Sequence, residues 1–207
     1  MDSFENDNDD DMPVEDMHHS DFLDLMKKYG QGKVSAYSEV LGRLSTSNPN
    51  SGDSLGPGLE LTKGRLSELM EHNVSPYGYV QLRASGRTLR NDLDWGHEYG
   101  EDEQIGYSHD NAIALHDLGV NLGDFARGRN AGIPEETLLR AHKHGVSLHH
   151  FTYGLENFIP EHELYEAHYA GAHLGNYVWK RTCKRSHEQA IAEALAEGND
   201  YESGPRK

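Results

Sequence analysis

Residues 132–157, GIPEETLLRAHKHGVSLHHFTYGLEN, align without an insertion on residues 158–183, FIPEHELYEAHYAGAHLGNYVWKRTC. Each block of twenty-six divides into two halves of thirteen, and the half-unit runs seven times through residues 106–197. Its joints fall at Gly106, Gly119, Gly132, Gly145, Phe158, Gly171 and Lys184, five of them glycine. A fixed internal period of this kind states how a chain is built before any other signal does.

The two halves differ. The first follows its joint with an apolar residue and Ser or Pro, as in Tyr107-Ser108, Ile133-Pro134 and Ile159-Pro160, then with acids or His. This is a helix start: a cap or early Pro, then negative charge at the positive end of the helix dipole. The copy at 184 replaces the apolar residue with Arg185. The second half reads Val120-x-Leu122-x-x-Phe125, Val146-x-Leu148-x-x-Phe151 and Ala172-x-Leu174-x-x-Tyr177. Leu and aromatic, three apart, share one helical face. Thirteen residues hold eight or nine in a helix and a four-residue turn, with the joint glycine as the left-handed terminator. Such helices fall below the ~12–15 residues that persist alone in water. They must bury their stripes against neighbours, so the expected fold is all-α: tandem short helical hairpins stacked as a small α-solenoid.

The unit recurs upstream, over residues 60–72 and 73–85, before residues 86–105 interrupt the phase. An insertion in a strict array is a candidate functional loop. Further upstream the sequence predicts a helical arm over residues 20–44, with Ser20 as its cap, and a Ser/Gly/Asn/Pro linker over residues 45–58. Residues 1–19, with eight acids and neither Lys nor Arg, are expected to be disordered. Residues 59–197 form the expected repeat domain, and residues 198–207 a frayed end.

The net charge is −16, with 35% hydrophobic residues and a mean hydropathy of −0.80. Ten acids fall in residues 1–24 without a base, so the remainder carries only −6. No stretch reaches the ~20 apolar residues of a membrane span, and the acidic start is unlike a signal peptide. One cysteine, Cys183, excludes an internal disulfide and a multi-cysteine zinc site. These features point to a cytoplasmic protein without a membrane partner.

Arg83, Arg129 and Arg181 occupy one position in three copies, four residues after Tyr79, Phe125 and Tyr177. With Arg87, Arg127, Lys180, Lys184 and Arg185 they make a candidate binding face, suited to an acidic protein or to phosphates. The competing reading is that cations near helix C-termini complement the dipole. Ala141-x-x-x-Gly145-Val146 with Phe151 resembles the spacing of a DNA-binding helix-turn-helix. Its second helix presents Ser147, His149, His150 and Glu156, a poor set for reading base edges.

Ten of the fourteen histidines lie between His109 and His187. His116, His142 and His168 recur at the long period and are the candidate metal ligands. Helices packed ~8–10 Å apart hold such a column too loosely for shared ligation. HELYEAH, residues 162–168, has Glu166 where a zinc-protease motif needs His. No phosphate loop or nucleophile elbow is present, and no cofactor is expected. The segments LLRAHKHGVSLHHF, LYEAHYAGAHLGNY and SHEQAIAEA resemble short helical-repeat proteins of actinobacteria and their phages. The resemblance covers about residues 106–197 and implies a setting, as a phage-type accessory or regulatory protein, without a mechanism. The expected function is a non-catalytic protein-binding or scaffolding module. The alternatives are a nucleic-acid-binding regulator and a metal-dependent hydrolase.

Overall fold

The computed structural model of the chain describes residues 12–46, 61–85 and 107–202. These residues are all-α, with one 3-10 turn at Val14–Asp16. An initial pair, α1 (His19–Tyr29) and α2 (Gln31–Thr46), precedes the first repeat hairpin, α3 (Lys63–Glu71) and α4 (Pro76–Ala84). The array resumes with α5 (His109–Asp117), α6 (Leu122–Asn130), α7 (Glu135–Lys143), α8 (Leu148–Glu156), α9 (Glu161–Tyr169) and α10 (Leu174–Thr182). Each of these six has nine residues, as the period predicts. The last helix, α11 (His187–Glu202), is longer. Of the linker expected at residues 45–58, Ser45 and Thr46 fall in α2; residues 47–58, the interruption at residues 86–105 and the first eleven residues lie outside the described residues.

The joints behave as the repeat predicts. Asn73, Gly119, Gly132, Gly145, Phe158, Gly171 and Lys184 all have positive φ, between 55° and 83°. At Gly145 the joint N–H bonds the carbonyl of His142, and the next N–H, of Val146, bonds Ala141. This pair of bonds closes a helix whose next residue is left-handed. A β-carbon there costs about 1–2 kcal/mol, so glycine recurs. The residue after the joint drops into the core: Val74, Val120, Ile133, Val146, Ile159 and Ala172 are all buried. Starts are capped as expected at Thr62, Ser75 and Ser108, whose hydroxyls accept from the N–H three residues on.

The chain divides into two compact units, Met1–Ala126 and Arg127–Lys207, with the boundary inside α6. The repeat region expected over residues 59–197 contributes helices to both units. In the first unit the arm is not a detached element. Tyr37 of α2 donates its hydroxyl to the Val74 carbonyl at 2.5 Å, and Lys33 reaches the Met70 carbonyl and Asn73 Oδ1. Lys28 pairs with Glu71 at 2.6 Å, and Tyr29 bonds both Glu71 and Ser67. The arm thus supplies donors to the carbonyls that the end of α3 leaves over.

Two expectations need correction here. Residues 12–19 are ordered: Val14 N–H donates to Leu61 O, Lys63 N–H donates to Met12 O, and Met17 is buried. Composition suggested disorder, but a backbone bridge between Pro13 and Thr62 supplies the partners that side chains do not. The cap of α1 also lies two residues earlier than Ser20. His18 is the cap, and the Asp21 carboxylate accepts from its N–H at 2.9 Å.

In the second unit the close approach of helices is set by glycine. A β-carbon at Gly128 would lie 2.6 Å from Leu138 Cδ2, and one at Gly154 would lie 2.6 Å from Leu164 Cδ2. These positions are one long period apart. Leu138 and Leu164 are fully buried, as are Phe151, Thr152, Tyr177 and Val178.

Candidate functional site

The structure turns the aligned arginines inward. Arg83 is only 7% exposed and lies 5.9 Å from the Tyr79 ring centroid. Arg129 donates from Nη1 to the Ile133 carbonyl, and Arg181 donates identically to the Arg185 carbonyl, both at 2.8 Å. Arg129 and Arg181 each reach four residues on and close the turn after their own helix, which is the dipole-complementing role of a C-terminal cation. Arg181 also pairs with Glu163 at 2.9 Å.

Most of the remaining candidates are neutralised nearby. Arg127 meets Glu156 at 2.6 Å, Arg185 meets Glu193 at 3.2 Å, and Lys180 meets Glu193 and Glu197. Lys184 is exposed at the left-handed joint. Arg87 lies outside the described residues. Turn carbonyls or carboxylates thus engage Arg127, Arg129, Lys180, Arg181 and Arg185 of the expected basic face.

Two histidines of the recurring column bond the ends of neighbouring helices. His116 Nε2 donates to the His72 carbonyl at 2.8 Å, and His168 Nε2 donates to the His144 carbonyl at 3.1 Å. Both acceptors are the residues that close a preceding helix of the first kind. A ring nitrogen that carries this proton has no lone pair for a metal, so only Nδ1 of each ring could ligate one. No group of three or more potential ligands gathers among the described residues, His142 included. Glu166 of the near-miss motif accepts from His187 at 2.9 Å.

An arrangement that sequence reading missed occurs twice. In the first unit Tyr79 Oη lies 3.0 Å from His109 Nδ1, and His109 Nε2 lies 2.9 Å from Glu68 Oε2. In the second, Tyr177 Oη lies 2.9 Å from His187 Nδ1, and His187 Nε2 lies 2.9 Å from Glu166 Oε2. The rings meet edge to face in both, with centroids 5.6 and 5.8 Å apart. The Tyr–His separations are thirty and ten residues, and the His–Glu separations forty-one and twenty-one. Both pairs differ by the length of the 86–105 interruption, so the two frames are repeat equivalents.

The signal was present in the sequence. At the equivalent positions Tyr79 goes with His109 and Tyr177 with His187, whereas Phe125 goes with Glu135 and Phe151 with Glu161. The partner of the acid then changes sign, and Glu161 pairs with Arg140 at 2.7 Å. The polar contact is kept only where a hydroxyl can complete it.

The remaining unusual feature is apolar and exposed. Phe158 occupies a joint with φ 59° and is 94% exposed. It closes the C-terminal end of α8, whose last turns also carry Tyr153. One long period later, Trp179 occupies the position of Tyr153 in α10 and is 61% exposed. The Arg127 guanidinium lies 6.0 Å from the Tyr153 centroid. Among the described residues no such cation covers Trp179. The expected absence of a membrane-crossing helix agrees with the described residues, none of whose helices is long and apolar enough.

No protein-family model, curated protein or solved structure matches this chain. Its class is accordingly defined by the architecture, an all-α protein of tandem helical hairpins.

Proposed function

We propose that the chain is a non-catalytic binding module whose second unit receives an arginine-bearing segment of a partner protein on the Tyr153–Phe158–Trp179 edge. The carrying observation is Phe158. An L-residue in the left-handed region costs about 1–2 kcal/mol, and a side chain 94% exposed recovers almost none of it by burial. Asn73 and Lys184 hold the same joint conformation, so what sets Phe158 apart is a large apolar ring left in solvent. Exposed aromatics are also the side chains on which interfaces concentrate their energy.

The partner's chemistry follows from what already surrounds the edge. Arg127 over Tyr153 is an internal precedent for a guanidinium on this column of rings, and indole binds cations better still. The chain's charge of −16 favours a basic partner at encounter. Duplex nucleic acid is disfavoured by the same charge and by the engagement of Arg129 and Arg181.

The test offers the full chain arginine-rich, lysine-rich and acidic peptides of equal length, and duplex DNA. Preference for arginine over lysine, lost in Trp179→Ala, supports the reading. The lysine arm matters because the acidic N-terminal residues attract any cation. Equal affinity of wild type and Trp179→Ala for every peptide sinks it, as does tighter binding to DNA that weakens steeply with salt.

A further inference from the structure

The two Tyr–His–Glu frames differ in one neighbour. Three residues before the glutamate, the second unit has Glu163 and the first has Arg65. In the second unit the Tyr177 hydroxyl donates to Glu163 at 3.0 Å, and Nδ1 of His187 lies 3.6 Å from the same carboxylate. Two carboxylates, Glu163 and Glu166, therefore face that imidazole.

In the first unit the groups facing His109 are different. From α3 come Glu68, hydrogen-bonded at Nε2, and Arg65; from α4 come the Tyr79 hydroxyl at Nδ1 and Arg83. Asp110 follows on its own helix and acts on Tyr79. His109 is 4% exposed. With Nε2–H directed at the Glu68 carboxylate, the neutral ring presents the Nδ1 lone pair to the tyrosine O–H. Protonation would replace that lone pair with a second N–H and add a cation beside two guanidiniums. Glu68, half exposed, is the single carboxylate bonded to the ring to oppose this.

We propose that His109 is an acid-sensitive latch, fastening the helix that resumes the array to the first hairpin only while its imidazole is neutral. Its ring joins α5 to both α3 and α4, and residues 86–105 lie between them in sequence. Burial holds His109 below the ordinary imidazole range, with the Glu68 hydrogen bond opposing. A folded value below the unfolded one means that the latch's stabilisation is present above about pH 6.5 and is lost as pH falls through the folded value.

The other end of α5 responds in the opposite sense. His72 Nδ1 pairs with Asp117 at 2.9 Å, and that hydrogen bond holds His72 above its ordinary range. This contact gains as pH falls, but its partners are 35% and 49% exposed, so solvent screens it. The buried end decides the outcome. Acid frees α5 at His109 while the His72–Asp117 end stays attached, which makes the joint a pivot.

The experiment uses the full chain at neutral and acid pH. Two-dimensional nitrogen-15 spectra follow the histidine rings, with His109→Gln assigning the signal, and hydrogen exchange follows the first turns of α5. The expected result is a His109 midpoint below that of free imidazole, with protection at α5 falling in step. Arg65→Glu installs the carboxylate of the second frame and should raise the midpoint and retain protection in acid. His109→Gln keeps an N–H and an acceptor but cannot titrate, so its α5 protection should not follow pH through this range. A wild-type midpoint at or above that of free imidazole overturns the proposal. So does acid loosening unchanged in both variants, once circular dichroism shows them folded at neutral pH.

Discussion

Gly154→Ala sets two well-defined terms against each other. Gly154 lies within α8, where alanine in place of glycine gains about 1 kcal/mol of helix propensity. The new β-carbon would lie 2.6 Å from Leu164 Cδ2, 3.0 Å from Leu164 Cδ1 and 3.3 Å from Val178 Cγ2. Carbon atoms in contact prefer about 3.5–4.0 Å, so the leucine tip must retreat by about 1 Å. Leu164 and Val178 are both fully buried, and overpacking of such a site costs about 1–3 kcal/mol. The clash wins, with a net loss of about 1 kcal/mol. For a unit of this size that lowers the midpoint by about 4–8 °C.

The diagnostic is the sign in a second background. Leu164→Ala costs about 2–5 kcal/mol by itself, but it removes the obstructing atoms, so Gly154→Ala should then stabilise by about 1 kcal/mol. Urea unfolding of the four proteins of this cycle measures the coupling. If Gly154→Ala stabilises the wild-type background, or if its effect is the same in both, the close approach of α8 and α9 is not what holds this unit together.

Three further outcomes are expected. Phe158→Gly relieves a left-handed cost of about 1–2 kcal/mol against about 0.5–1 kcal/mol of added chain entropy. Thermal unfolding should show a small gain in stability, while arginine-peptide binding falls. Arg181→Ala removes a turn-closing donor and the partner of Glu163, and should cost about 1–3 kcal/mol in chemical denaturation without changing retention of DNA in a gel; a specific loss of retention would restore the basic-face reading. Thr62→Ala deletes the cap on Arg65 N–H and should cost about 1 kcal/mol. Hydrogen exchange should show that loss concentrated in the first turn of α3.

The repeat made most of the backbone legible. A helix too short to stand alone, followed by a left-handed residue and a buried apolar one, is a local grammar, and φ at Gly132, Gly145 and Gly171 follows it. So do the nine-residue helices, because their ends depend on residues within a few positions of one another. Even Phe158 and Lys184, which break the glycine rule, hold the joint conformation because the two closing hydrogen bonds outweigh the strain, helped after Phe158 by the buried Ile159.

Side-chain direction was a different matter. The period placed Arg129 and Arg181 on a common stripe, but it could not say that each would turn back to a carbonyl four residues on. The helical arm was visible, while its docking through Lys33 and Tyr37 joins residues more than thirty positions apart. His109 is the sharpest case: its partners Glu68 and Tyr79 belong to a hairpin on the far side of the interruption. Sequence alone determined the helices and their joints, since those are set by neighbouring residues and backbone sterics. Tertiary structure alone decided which polar groups would meet and lose their water, because burial depends on segments that the chain order keeps apart.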